Sequence, residues 1–363
     1  METKVNTAGA RAIPARVWAG YAAVALALVA APFVMGGAFG NSWVRILDFV
    51  LLYSMLALGL NIVVGYAGLL DLGYIAFYAV GAYLFAILAS PHFELHLSAW
   101  MILPAGAALA CVAGATLGAP TLRLRGDYLA IVTLGFGEIV RLFMNNLDRP
   151  VNITNGPQGI NLIDGVTLFG YRLESGFTLM GHRFSGDYAY YFLFLALALL
   201  TVFVCLRLEN SRIGRAWVAI REDEIAAQAM GINTRNVKLL AFAMGASFGG
   251  VAGGLFAAFQ GFVSPESFTL MESVMVVCMV VLGGMGHIPG VILGAVLLTI
   301  TPEFLRDIIN PLQRSLFGHM VVDPENLRML LFGLALIVVM LFRPAGLWPS
   351  PRRREELEEG AHD

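Results

Sequence analysis

Apolar residues gather into long runs, roughly at 17–36, 43–64, 72–90, 98–120, 127–146, 187–207, 237–260, 269–284, 288–305 and 328–343. Most approach the ~20 residues that an α-helix needs to cross the hydrocarbon of a bilayer. The pattern predicts an all-α polytopic membrane protein with about ten hydrophobic segments. Gly-rich interruptions at 65–73 and 283–290 fall at comparable points of the two halves. Interrupted helices of this kind mark the pathway of internally repeated transporters. If either interruption belongs to a re-entrant hairpin, two spans drop out together and both termini stay on one side.

Two stretches stand outside the runs. Residues 147–186 hold turn residues and short alternating apolar runs, which predicts a small ordered cap rather than a linker. Residues 208–236 are too many for a simple connection between spans, and they interleave Arg212, Arg215 and Arg221 with Glu222, Asp223 and Glu224. At helical spacing Ile213, Trp217, Ile220, Glu224 and Ala227 share one face, while Arg212, Arg215 and Glu222 point elsewhere. Acidic residues open the 223–231 portion, and Gly231 stands where a helix would end. The expectation is a short amphipathic helix or a pair of them. A helix lying on a membrane surface concentrates Lys and Arg on one polar face, so the mixed signs favour a protein partner.

Composition narrows the setting. With 58% hydrophobic and 13% charged residues, the chain has too little polar surface to cover a soluble globule of 363 residues. Charge then sets orientation, because cytoplasmic loops collect Lys and Arg. One side of the predicted spans carries 15 basic residues and the other 5, with Arg45, Arg141 and Arg328 inside or at the edge of runs. This assigns a tail at 1–16, the 208–236 loop and a tail at 347–363 to the cytoplasm, a transmembrane domain to 17–346, and the 147–186 loop to the outside. The first run has no small-residue cleavage site and further spans follow it, so it is expected to be a span and not a signal peptide. A net charge of −2 gives no sign of a nucleic-acid partner. Cys111, Cys205 and Cys278 all fall in apolar runs, as small buried hydrophobes do, and suggest neither redox nor metal chemistry.

Few polar residues inside the runs offer chemistry. Glu138 and Arg141, three apart, share a helix face and would neutralise each other or a partner, either as a packing pair or as a gate. Gly245, Gly249 and Gly253 form a small-xxx-small ladder suited to close helix packing, and Gly284 and Gly286 sit in the second interruption. The two lysines, Lys4 and Lys238, lie in no Gly-rich turn, so a phosphate-binding loop is lacking and no cofactor is expected on this chain.

The stretch "AIREDEIAAQAMGINTRNVKLLAF" resembles the cytoplasmic coupling loop of ABC importer permeases, whose pattern is Glu-Ala-Ala, three residues, then Gly. Here Ala226, Ala227 and Gly231 keep that spacing, but Ile225 occupies the Glu position and Glu224 lies one residue earlier. "RGDYLAIVTLGFGEIVRL" at 125–142, "NGPQGI" at 155–160, "GYAGLLDLG" at 65–73 and "VLGGMGHIPGVILGA" at 281–295 resemble the permeases of high-affinity branched-chain amino-acid importers, of the LivM type. The resemblance covers about 43–346. It implies the ABC importer permease fold and a bacterial inner-membrane location. It also implies a homologous second permease, two cytoplasmic ATPases that use the ATP, and a periplasmic substrate-binding protein. Ile213, Trp217, Ile220, Glu224, Ala226, Ala227 and Gly231 would then couple to an ATPase groove. Carriage of urea or short amides is the near alternative. An ion-coupled secondary transporter is a more distant one, since it would place several carboxylates inside its spans, where this pattern places only Glu138 well inside. A non-transporting scaffold accords poorly with Gly-rich interrupted spans.

Overall fold

The computed structural model describes residues 15–317 except 122, 123, 125, 169, 180 and 181, together with 330, 333, 334, 337, 338, 341–343 and 346–348. Half of the tenth apolar run and most of both tails lie outside the described residues. The other nine runs each coincide with a helix: α1 (Ala15–Phe39), α2 (Asn41–Asn61), α3 (Ile75–Leu88), α4 (Ala99–Thr121), α5 (Asp127–Asn146), α6 (Gly186–Glu209), α9 (Thr234–Gln260), α10 (Leu270–Gly283) and α11 (Ile288–Phe317). Two short helices, α7 (Arg212–Glu222) and α8 (Glu224–Ala229), fill the connection before α9.

Among the described residues, six stretches are long and apolar enough to cross a membrane: Asn41–Tyr66, Ala99–Pro120, Tyr128–Asn146, Gly186–Glu209, Thr234–Gln260 and Ile288–Asp307. The apolar runs over α3 and α10 do not produce full spans, because each helix has 14 residues. At 1.5 Å per residue such a helix covers about 21 Å of a ~30 Å hydrocarbon core. Both abut the Gly-rich interruptions, where the backbone leaves the helix. The described residues are otherwise mainly helical, as the pattern predicts, with short strands outside the bundle.

α9 is the enclosed centre, packed between α3 and α4 and against α2. Missing side chains make that closeness possible. A methyl at Gly253 would lie 2.8 Å from Ala82 N, and one at Gly250 would lie 2.6 Å from both Ala110 Cβ and Gly106 O. Gly245 would meet Val63 Cγ2 and Gly59 O, and Gly249 would meet Phe77 Cβ at 3.2 Å. The ladder at Gly245, Gly249 and Gly253 is therefore a packing surface. Aromatic rings close the space beyond it, with Phe268 edge-on to Tyr78 at 5.5 Å and to Phe256 at 6.2 Å.

The 147–186 segment is an ordered cap, as its turn-rich pattern predicts. It contains β1 (Ile160–Asn161), the β2–β3 hairpin (Thr167–Leu168 with Tyr171–Arg172) and the β4–β5 hairpin (Phe177–Leu179 with His182–Phe184). β1 pairs antiparallel with β6 (Phe262–Val263), just after α9. Asp164 N–H donates to Ala89 O at 2.6 Å, and Ile163 N–H to Gly261 O at 3.2 Å. The cap thus sits at the end of the bundle formed by the α3 C-terminus and the α9 C-terminus. α7 sits at the other end, with Arg221 beside Gly65, Gly68 and Gly286.

Candidate functional site: an amphipathic segment seated on two helix breaks

Each turn of the α7–α8 segment has a local cause. Ser211 caps α7 by accepting from Gly214 N–H at 3.0 Å. Asp223 is extended (φ −151°, ψ 109°), which breaks the helix, and its carboxylate accepts from Ile225 and Ala226 N–H at 2.8 and 3.0 Å to start α8. Gly231 ends α8 at φ +85°, with Gly231 N–H donating to Gln228 O and Ile232 N–H to Ala227 O at 2.9 and 3.1 Å. This is a Schellman closure, and only Gly takes that φ without strain. The sequence allows one helix or two; the structure has two.

The amphipathic face points inward, which corrects the expectation that its apolar members are offered to a partner. Trp217 is completely buried and donates its Nε1–H to Val237 O at 2.8 Å, and Ile220 and Ala227 are buried with it. Glu224 pairs with the buried Lys238 of α9 at 2.7 Å, and Gln228 Nε2 donates to Thr234 Oγ1 at 3.0 Å. Periodicity identifies an apolar face but not who covers it, and here the chain's own α9 does. Outward-facing apolar residues are Ile213, Ile225 (71% exposed) and Met230 (83% exposed), with Ala226 exposed between them. Ile225, the residue that departs from the family pattern, is thus on the free surface.

Beneath α7, the two interruptions meet. α2 ends in a π-helical turn (Ile62–Tyr66), and residues 67–74 run irregularly into α3. Irregular backbone at membrane depth persists only when the protein supplies its hydrogen bonds. Thr133 Oγ1 of α5 accepts from Leu72 N–H at 3.0 Å, Asp71 Oδ1 accepts from Gly73 N–H at 2.9 Å, and Ser273 Oγ of α10 donates to Leu72 O at 2.5 Å. At the second break Gly284 and Gly286 take φ +123° and +80°, so both are backbone requirements. Gly286 N–H donates to Asn61 Oδ1 at the end of α2 at 2.8 Å, and a methyl at Gly65 would lie 2.6 Å from Gly286 N. A cavity of about 710 Å³ opens beside this junction, lined by Tyr66, Glu209, Arg215, Arg221 and His287 among others.

Glu138 and Arg141 form the expected pair. Arg141 Nε donates to both carboxylate oxygens at 3.1 Å, and Nη2 donates to Oε1. The pair is partly open, with side chains 40% and 28% exposed, on a helix whose neighbouring Ile131, Ile139, Leu142 and Phe143 are exposed too. Glu138 is not the sole carboxylate within the bundle. Asp48 of α2 is fully buried and neither of its oxygens has a hydrogen-bond partner among the described residues; Asp71 is buried with Oδ2 in the same condition. Glu272 near the start of α10 accepts from Tyr53 OH at 3.1 Å. The lone Asp within "RILDFV" of the second run was the available signal for Asp48.

The family described as the permease component of branched-chain amino acid transport systems matches residues 42–340. The chain is 45% identical over 346 residues to the high-affinity branched-chain amino acid transport system permease protein LivM of Escherichia coli K12, covering 92% of this chain and 75% of that protein. It is 28% identical over 312 residues to the corresponding LivH protein of E. coli K12, covering 82% and 92%. A probable LivM of Methanocaldococcus jannaschii is 29% identical over 243 residues, covering 67% and 66%. No solved structure matches.

Proposed function

The chain belongs to the permease-component family of branched-chain amino acid transport systems, and we propose from this that it forms half of the membrane channel of an ATP-driven importer of branched-chain amino acids. The observation that carries the proposal is the 45% identity to a LivM protein across 92% of the chain. The seating of α7 directly on two helix breaks supports it, since a force applied to α7 reaches interrupted helices without an intermediary. The permease is not an enzyme; separate ATPase subunits hydrolyse ATP. LivM-like and LivH-like sequences are both similar to this chain, which supports a homologous second permease as its neighbour. Two cytoplasmic ATPases and a periplasmic binding protein complete the assembly, in a bacterial inner membrane.

In this reading 208–236 and both tails are cytoplasmic and 147–186 is periplasmic, as the 15 to 5 distribution of basic residues supports. Ile213, Ile225, Ala226 and Met230 supply the surface that enters the ATPase groove. Trp217, Ile220, Glu224 and Ala227 hold that surface to α9. A partly open ion pair facing lipid would cost ~2.5–3.5 kcal/mol per charge on insertion scales. The α5 face carrying Glu138 and Arg141 therefore meets the second permease or the aqueous path.

The test is uptake into proteoliposomes holding this chain, the second permease and the ATPases. Leucine should accumulate only with ATP inside the cytoplasmic compartment and loaded binding protein outside. Uptake driven by a proton or sodium gradient without ATP would instead make it a secondary transporter. Preferential competition by urea or short amides would move it to the related amide importers.

A further inference from the structure

The last turn of α7 makes a contact that its amphipathic pattern does not require. Arg221 Nη1 donates to Gly65 O at 2.7 Å, inside the π-turn that ends α2. That carbonyl is free because Leu69 N–H, its helical partner, donates to Val63 O instead at 3.0 Å. Arg221 thus satisfies a main-chain acceptor that the π-turn would otherwise orphan. The stem of the side chain lies across Gly68 (φ +69°), where a methyl would come within 2.5 Å of Arg221 Cγ. The head reaches the second break as well: a methyl at Gly286 would be 3.5 Å from Nη1 and 3.4 Å from Gly65 O. Nη2 donates to Glu222 Oε1 at 3.0 Å. A planar guanidinium serves Gly65 and Glu222 together, which a lysine ammonium on a flexible stem does not reproduce.

We propose that Arg221 is the positioning residue that ties the coupling segment to both helix breaks, so that movement of α7 displaces the α2 π-turn and the 284–287 turn together. The path continues through the side chain of Asn61, which accepts from Gly286 N–H. Trp217 and the Glu224–Lys238 pair attach the segment to α9, whereas Arg221 hydrogen-bonds to the first break and lies against the second. The proposal rests on the importer reading above.

The experiment uses the complete importer in proteoliposomes and compares Arg221→Gln, Arg221→Lys and Glu222→Gln. Three quantities are read: assembled complex, ATP hydrolysis stimulated by the loaded binding protein, and amino acid taken up per ATP hydrolysed. Arg221→Gln should keep hydrolysis while the uptake-to-hydrolysis ratio falls about tenfold, the scale of one lost charge-assisted hydrogen bond. Arg221→Lys, which keeps the charge on a single donor nitrogen, should fall between it and the wild type, and Glu222→Gln should stay near the wild-type ratio. An unchanged ratio in both Arg221 variants overturns the proposal. So does a parallel loss of complex, hydrolysis and uptake, which would give Arg221 only a folding or docking role. Failure of the wild-type complex to couple ATP to uptake would instead strike the importer reading itself.

Discussion

Trp217 offers the sharpest test of which way the α7–α8 segment faces. It is fully buried, its indole N–H bonds to Val237 O at 2.8 Å, and it is the largest buried side chain of the segment. Trp217→Ala removes that packing and leaves a cavity, a loss of about 3–5 kcal/mol for a buried aromatic residue. Trp217→Phe keeps most of the ring volume and removes one hydrogen bond, worth about 0.5–1.5 kcal/mol. Because the predicted anchor is internal, both effects should appear in the purified permease with no ATPase present. Amide hydrogen exchange over 212–231 reports local opening of this segment. Exchange there should accelerate by roughly two to four orders of magnitude in Trp217→Ala, and by about tenfold or less in Trp217→Phe. Wild-type exchange in Trp217→Ala, with a defect only in ATPase binding, would show that the indole is a partner contact and that the inward seating is wrong.

Other variants separate packing from conformation and charge. Gly253→Leu should abolish assembled protein on a detergent sizing column, since its side chain must displace the α3 backbone near Ala82, whereas Gly249→Ala, at 3.2 Å from Phe77 Cβ, should still assemble. A Cβ at Gly231 would meet no atom within 4 Å, so the main penalty of Gly231→Val is the left-handed backbone, about 1–2 kcal/mol, read as weaker coupled hydrolysis in an assembled complex. Glu138→Gln alone should lower complex yield by stranding Arg141, and the double change with Arg141→Gln should restore both yield and uptake; a well-assembled double variant without uptake would mean that the charges serve passage. For topology, a Cys at Leu162 or Tyr171, each 77% exposed, should react with an impermeant thiol reagent outside intact cells, and one at Met230 only after lysis. Cys111, Cys205 and Cys278 are first replaced by Ala.

Much of this arrangement is readable from one sequence because membrane burial forces long apolar runs and the runs announce the helices. Gly231 and the acidic residues that open the 223–231 portion are equally plain, since caps and closures are made from residues two to four apart. What the pattern could not reveal is long-range. Hydropathy does not distinguish the 14-residue helices α3 and α10 from full spans, since the buried segments that flank them are also apolar. Nor does helical spacing say that Trp217 faces α9 rather than another protein. Arg221 looked like one more polar residue on the loop, and its partner Gly65 is 156 positions away. The departure at Ile225 gains a meaning only when it is seen at the surface, where a change of side chain alters a contact without disturbing the core.

The bond between β1 and β6 has a mechanical consequence. Ile160 pairs with Val263, Asp164 hangs from Ala89, and Tyr190 joins Val166 to Ala258, so the cap rivets the ends of α3, α6 and α9 to one another. Riveted at that end, the helices can splay only about it, as the blades of a fan do about their pin. Travel is then small beside the cap and greatest near α7, and a way out toward the cap cannot be made by parting these helices. The importer proposal then requires a molecule entering from the capped side to pass along the outer flank of this chain, where the proposed second permease would sit.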